Sequence, residues 1–170
     1  MRERRAAQER RRAREFAAFV AGAAGRLLHA AALLTGEPPG LPGAPPAAAE
    51  RLLTAALART YACWDRLHGE DPYDRARREL VAHFAHTAWH YRHAAGGALD
   101  RLSPQERLVL VLRLCEGVAE EQAAAQLGLP VERVRALCTR SVAAMRSRPP
   151  AATRVPAPLA QSPDSTEATS

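Results

Sequence analysis

The chain lacks lysine altogether: all 24 basic residues among its 170 are arginine. Aromatic residues make up only 5%. Long β-branched runs are missing as well, so the composition argues against a sheet-built core and for helices packed on helices. Only three cysteines occur, Cys63, Cys115 and Cys138. They stand far apart with no C-x-x-C pair, which excludes a disulfide framework and fits a reducing cytoplasm. There is no Gly-rich phosphate loop, no G-x-S-x-G and no nucleophile constellation, so neither an enzyme nor a cofactor is expected. The apolar stretch after Arg14 is broken by Arg26 and His29 before the ~20 residues that a membrane span needs. Phe16, Phe19, Val20, Leu27 and Leu34 recur at helical spacing, which reads as an amphipathic helix, not an export signal. No membrane partner is expected, and the location expected is cytoplasmic.

What remains is alanine, arginine and proline. Hydrophobic content is 47%, but alanine supplies much of it, so any core is thin and small domains are expected. The net charge of +6 suggests nucleic acid or another anionic surface.

Along the chain, residues 1–15 form a basic arm, "MRERRAAQERRRARE", with seven arginines against three glutamates. It reads as a solvated, frayed helical arm, with a direct DNA or RNA contact as the alternative. A first helix is predicted over residues 16–35, then a Pro/Gly loop over 36–46 that cannot stay helical. A second helix starts near Ala47, with Leu53, Leu57, Tyr61, Trp64 and Leu67 on one stripe. A third is predicted from Tyr73 to His93 with Leu80, Phe84, Ala88 and Tyr91 as its apolar face. Residues 94–98, "AAGGA", form a linker that reaches at most ~18 Å. In the next segment Ser103 is an N-cap, Pro104 fits the first helical position, Glu106 completes a capping box, and Gly117 is the stop. Residues 149–170 read as a disordered tail.

The stretch "AAAQLGLPVERVRALCTRSVAAMR", Ala123 to Arg146, breaks at a glycine and starts a new helix after a proline. That is a helix-turn-helix pattern. Ala124, four residues before Gly128, lets two helices approach, and Gly128 permits the turn. Val134, Leu137, Cys138 and Met145 fall on one side of the last helix. Glu132, Arg133, Arg135, Ala136, Thr139 and Arg140 fall on the other, and these residue types read base edges and hold phosphates. Ala119 stands where a Ser or Thr cap is usual. Upstream, His83, His86, His90 and His93 line up at helical spacing, nearly opposite the Leu80–Phe84 face. The stripe reads first as exposed solvated or DNA-facing residues, with partner contact and metal or pH sensing as alternatives; no metal site is assigned, because a single helix rarely supplies more than two ligands. Trp64, Trp89 and Tyr91 read as core residues more than as stacking platforms for bases.

"LSPQERLVLVLRLCEGVAEEQAAAQLGLPVERVRALCTRSVAAMR", Leu102 to Arg146, resembles the promoter −35-binding domain of small bacterial sigma factors of the extracytoplasmic-function type (group IV, sigma-70 family). "EFAAFVAGAAGRLLHAAALLTG" and "AERLLTAALARTYACWDRL" are similar to the first domain of that family. "RARRELVAHFAHTAWHYRH" falls where the family melts and reads the −10 element. The resemblance covers about residues 15–147. It implies an all-α protein: a sigma-2-like helical domain over 16–93, the short linker, and a sigma-4-like helix-turn-helix domain over 99–148. It implies core RNA polymerase and promoter DNA as partners, and an anti-sigma factor as a further one. Polymerase docking would fall to Arg51, Leu53, Leu57 and Trp64, and −10 contacts to Arg77, Arg78, His83, His86, His90 and Arg92. The chain departs from the family pattern where Arg51 replaces a common acid, Ala82 takes the place of an Asn, and histidines replace much of the basic cluster. Two alternatives stay open: a helix-turn-helix regulator that binds DNA without polymerase, and a module that titrates an anti-sigma partner.

Overall fold

The computed structural model describes residues 1–38, 46–67, 69–93 and 96–147. Most of the expected Pro/Gly loop, part of the 94–98 linker and all of the expected tail lie outside the described residues. Those described are helical, with no strand among them.

Helix α1 runs from Arg2 to Thr35. The helix expected over residues 16–35 continues back through the arm without fraying, because alanine and arginine are good helix formers and nothing between them stops a helix. The arm is therefore the first part of α1. Its Arg12 is not solvated: the guanidinium lies 4.3 Å over the Tyr61 ring and 3.1 Å from Asp65. Just after it, Phe16 meets Trp64 edge-on at 5.0 Å, and Phe19 lies 5.4 Å from the same ring. α1 ends at Gly36, whose N–H donates to Ala32 O. By length and composition α1 is apolar enough to cross a membrane, yet its Leu27, Ala30, Ala31 and Leu34 are core residues.

Helix α2 spans Ala47–Ala62. Its N-cap residue, Pro46, offers no side-chain acceptor. The Glu37 carboxylate, just beyond α1, accepts the N–H groups of Ala48 and Ala49 at 3.1 and 2.9 Å instead. An acid is well placed at a helix N-terminus. The buried side of α2 is Ala49, Leu52, Leu53, Ala56 and Thr60; Leu57, Tyr61, Trp64 and Leu67 of the expected stripe are only half-buried.

Helix α3 spans Pro72–Thr87, with Asp71 as N-cap accepting from Tyr73 N. It buries Ala76, Leu80, Val81 and Phe84. It stops short of the expected His93: the chain tightens into a 3₁₀ turn over Ala88–Tyr91. The turn lays Tyr91 on Phe84, ring centroids 5.4 Å apart. Trp89, expected in the core, is 62% exposed: nine residues after Leu80, it falls about 180° from it by the 100° step, on the side away from the apolar face.

Helix α4 spans Pro104–Leu110 and begins with the expected capping box between Ser103 and Glu106. It continues as a π-helical turn over Val111–Cys115. Helices α5 (Glu120–Leu127) and α6 (Val131–Arg146) follow. Buried residues from α1 to α6 form one continuous core.

Two polar ties join α4 and its π turn to the first three helices. Arg107 of α4 is fully buried. Its guanidinium donates to Leu34 O at 3.0 Å, Tyr91 O at 2.8 Å and Leu102 O at 3.0 Å. The fit is close: a Cβ on Gly36 would meet Arg107 Nη1 at 2.6 Å, and one on Gly97 would meet Gly36 O at 2.3 Å. The second tie is Glu116, buried after the π turn. It accepts from the Tyr73 hydroxyl at 2.9 Å and from Arg26 at 3.3 Å. Burial, and then the Glu116 carboxylate, raise the Tyr73 phenol well above its ordinary value, so it stays a donor.

Arg107→Met keeps the aliphatic stem but leaves three buried carbonyls without a donor. We expect it to cost about 3 kcal/mol, read as a lower urea midpoint. An unchanged midpoint would show that the carbonyls find other donors.

Candidate nucleic-acid interface

The turn between α5 and α6 is built from backbone. Gly128 takes the left-handed conformation, φ 63° and ψ 32°. Its N–H donates to Ala125 O, and the next N–H, of Leu129, donates to Ala124 O at 3.0 Å. This is the Schellman arrangement, which uses up the last carbonyls of a helix. Pro130 then opens α6. Ala123 and Ala124 are buried beneath the turn, as the small-residue reading of Ala124 requires.

On α6, Val134, Leu137 and Ser141 are buried, and Cys138, Val142 and Met145 pack on the core at its edge. Glu132, Arg133, Arg135, Ala136, Thr139 and Arg140 are all exposed. The structure thus brings all six residues of the expected reading face together on the side away from the support.

The face has an internal electrostatic arrangement that the spacing of residues did not reveal. Arg135 Nη2 lies 2.6 Å from Glu120 Oε1, and Arg140 Nε lies 3.1 Å from Glu106 Oε1. Glu106 therefore serves two helices: Oε2 accepts from Ser103 in the capping box, and Oε1 accepts from Arg140. Burial works to raise the Glu106 carboxyl, but the Ser103 hydrogen bonds and the Arg140 guanidinium outweigh it and hold it below its ordinary value. Arg133 has no ion pair or side-chain hydrogen bond among the described residues. Exposed pairs of this kind contribute little to stability, but they fix where a guanidinium waits.

The other expected site residues do not form one surface. Arg77 and His83 lie about 120° apart around α3 by the 100° step. Arg77 has a side chain only 12% exposed and pairs with Asp74 at 3.0 Å. Arg78 is exposed and pairs with Glu70. His86, His90 and Arg92 are exposed. His83 is half-buried and its Nδ1 is buried with no hydrogen-bond partner among the described residues. Of the histidine stripe, His86, His90 and His93 are exposed as expected, and only His83 departs, because it sits at the edge where α3 meets α2. Burial, helped by Arg59 and His86, pushes the His83 imidazole below its ordinary value. That favours the neutral ring and removes it as a cation for DNA. Among the described residues no group of three or more His, Cys, Asp or Glu is placed to hold a metal. In the expected docking set Arg51 is exposed and Leu57 half-buried. Leu53 is buried in the core, and Trp64 is half-buried and closed in by Phe16 and Phe19, so neither presents itself freely to a partner.

Helix α5 has no side-chain cap at Ala119, whose backbone is extended (φ −58°, ψ 151°) as a capping residue requires. Ala119→Ser supplies the missing acceptor without touching α6. We expect a gain of about 1 kcal/mol, seen as a higher melting temperature with DNA affinity unchanged. A loss of stability would mean that this helix start has no room for the hydroxyl.

Comparison with known proteins adds one finding. No curated protein and no solved structure matches the chain. Residues 98–147, however, match the family model of sigma-70, region 4, and this stretch, which contains α4 to α6, is similar to that DNA-binding helix-turn-helix domain of sigma factors.

Proposed function

We propose that the protein is a transcription initiation factor: a sigma-type subunit that joins core RNA polymerase and directs it to promoters, with α6 reading the −35 element. The observation that carries this reading is the coincidence of two results. The match over 98–147 is to a DNA-binding domain, and within it the side chains suited to base and phosphate contact are the ones α6 exposes. A recognition helix works by entering the major groove with its outward face while its inner face stays packed. α6 has such an exposed outward face and such a packed inner face. On this reading the chain performs no catalysis and acts in the cytoplasm. Residues 16–93 serve as the sigma-2-like part, with α3 toward the −10 element, and an anti-sigma factor is a fitting regulator.

A second reading is a helix-turn-helix regulator that binds DNA without polymerase. Two observations favour it: Leu53 of the docking set is buried, and the −10 candidates are scattered around α3.

Arg133→Ala tests the α6 assignment. If Arg133 reads a base edge, affinity for a cognate duplex falls by about 1–3 kcal/mol and specificity relaxes at one position. If it holds a phosphate, binding weakens on all sequences alike and the salt slope drops by about one. Unchanged binding would sink the assigned face. Co-elution of the purified protein with core RNA polymerase separates the two readings. Complex formation supports the sigma role, whereas DNA binding with no polymerase complex supports the regulator.

A further inference from the structure

We propose that the arginine-rich first turns of α1 form a second DNA contact, one that grips the phosphate backbone and supplies the attraction that α6 lacks. The inference rests on the DNA-binding reading above. Its starting point is a charge deficit. On and beside the α6 face four arginines, Arg133, Arg135, Arg140 and Arg146, stand against three acids, Glu132, Glu120 and Glu106, a near balance. A face so balanced can discriminate bases, but it attracts a polyanion weakly, because affinity comes mainly from neutralised phosphates.

The charge sits elsewhere. Of the chain's net +6, residues 1–15 carry seven arginines against three glutamates. In the structure this stretch is helix, from Arg2 onward. Arg12 faces the body of the protein through Tyr61 and Asp65, and Arg11 pairs with Glu15 at 3.6 Å. Arg2, Arg4, Arg5, Arg10 and Arg14 are exposed and have no carboxylate partner among the described residues. By the 100° step, Arg10 and Arg14 each lie within about 20° of the direction opposite Arg12, with Arg2 and Arg4 on the two flanks. Glu3 is the one acid that shares this outward side. Arginine suits the task, since its planar fork binds phosphate oxygens in pairs.

A membrane surface is the competing anionic partner. A helix that lies in a bilayer interface needs large apolar residues opposite its basic ones. From Arg2 to Glu15 the only apolar residues are Ala6, Ala7 and Ala13. The large ones that follow, Phe16 and Phe19, are occupied by Tyr61 and Trp64. The arm has charge for phosphates and nothing to insert into lipid.

The test uses the full chain with Arg2→Gln, Arg4→Gln, Arg10→Gln and Arg14→Gln combined. Glutamine keeps helix propensity, and the Arg12 and Arg11 contacts are untouched, so circular dichroism should not change. Fluorescence anisotropy with a 30-base-pair duplex is followed from about 50 to 300 mM salt, a range over which phosphate contacts give a measurable slope. We expect the plot of log affinity against log salt to become shallower by about three relative to the unaltered protein. We also expect Arg133→Ala to retain weak binding with most of the slope. An unchanged slope in the arm variant, with Arg133→Ala still impairing binding, overturns the arm while leaving the α6 reading intact. No DNA binding by the unaltered protein overturns both. Capture on phosphatidylglycerol vesicles that the four substitutions abolish, with DNA binding unaltered, overturns the DNA contact in favour of a lipid surface.

Discussion

Arg107 is the point on which the architecture turns. Helix ends leave carbonyl groups that the helix itself cannot use. Leu34 O belongs to the last turn of α1, Tyr91 O closes the 3₁₀ turn after α3, and Leu102 O precedes the cap of α4. Three segments thus bring unpaired acceptors to one buried spot. A guanidinium fork can serve all three at once, and a positive charge suits the C-terminal end of α1. Burial lowers the guanidinium's affinity for its proton, with Asp100 opposing, yet arginine remains charged at any pH where the protein folds. A hydrophobic residue here would strand three carbonyls. The close contacts at Gly36 and Gly97 follow from the same crowding, since the carbonyl of one accepts the N–H of the other at 2.9 Å.

This arrangement decides how α6 is presented. α4 supports α6 through the shared core, and Arg140 reaches Glu106 on α4. α4 is in turn fastened to α1 and to the turn after α3. Glu116, held by Tyr73 and Arg26, fastens the far end of the same segment. α6 is therefore carried on a body with a defined orientation. Contacts made by the N-terminal helices and by α6 are geometrically coupled for as long as both ties hold.

The turn and the two faces of α6 were legible in the sequence because they rest on local rules. A glycine with φ above zero, a proline to restart the helix and a 3.6-residue apolar period leave few alternatives. The Ser103–Glu106 box was legible for the same reason. Arg107 was not: it sits among Leu108, Val109 and Leu110 in a helical segment, and its partners are backbone carbonyls five to 73 residues away. No side-chain pattern announces a carbonyl acceptor. Glu37 as the cap of α2 was hidden in the same way, across a Pro/Gly loop. On α3 the assumption of one straight helix to His93 missed the 3₁₀ turn, which the stacking of Tyr91 on Phe84 stabilises. His83 was misplaced for another reason: it lies within α3, at the edge that packs toward α2, and a contact between helices is not announced by the spacing along one of them.

The acids around α6 give a physical reason for dividing attraction from discrimination. Glu120 and Glu106 lie in the first turns of α5 and α4, where carboxylates are favoured by the helix dipole and by capping. They are therefore fixed by folding, and each also restrains an arginine of the exposed α6 face. A phosphate or base that takes Arg135 or Arg140 must displace a carboxylate already in place, which trims the gain on every sequence alike. Only a site offering well-directed acceptors compensates for that exchange. In the proposed DNA-binding role such a face would trade general affinity for selectivity, and the exposed arginines of α1, without carboxylate partners among the described residues, are placed to restore it without reading any base.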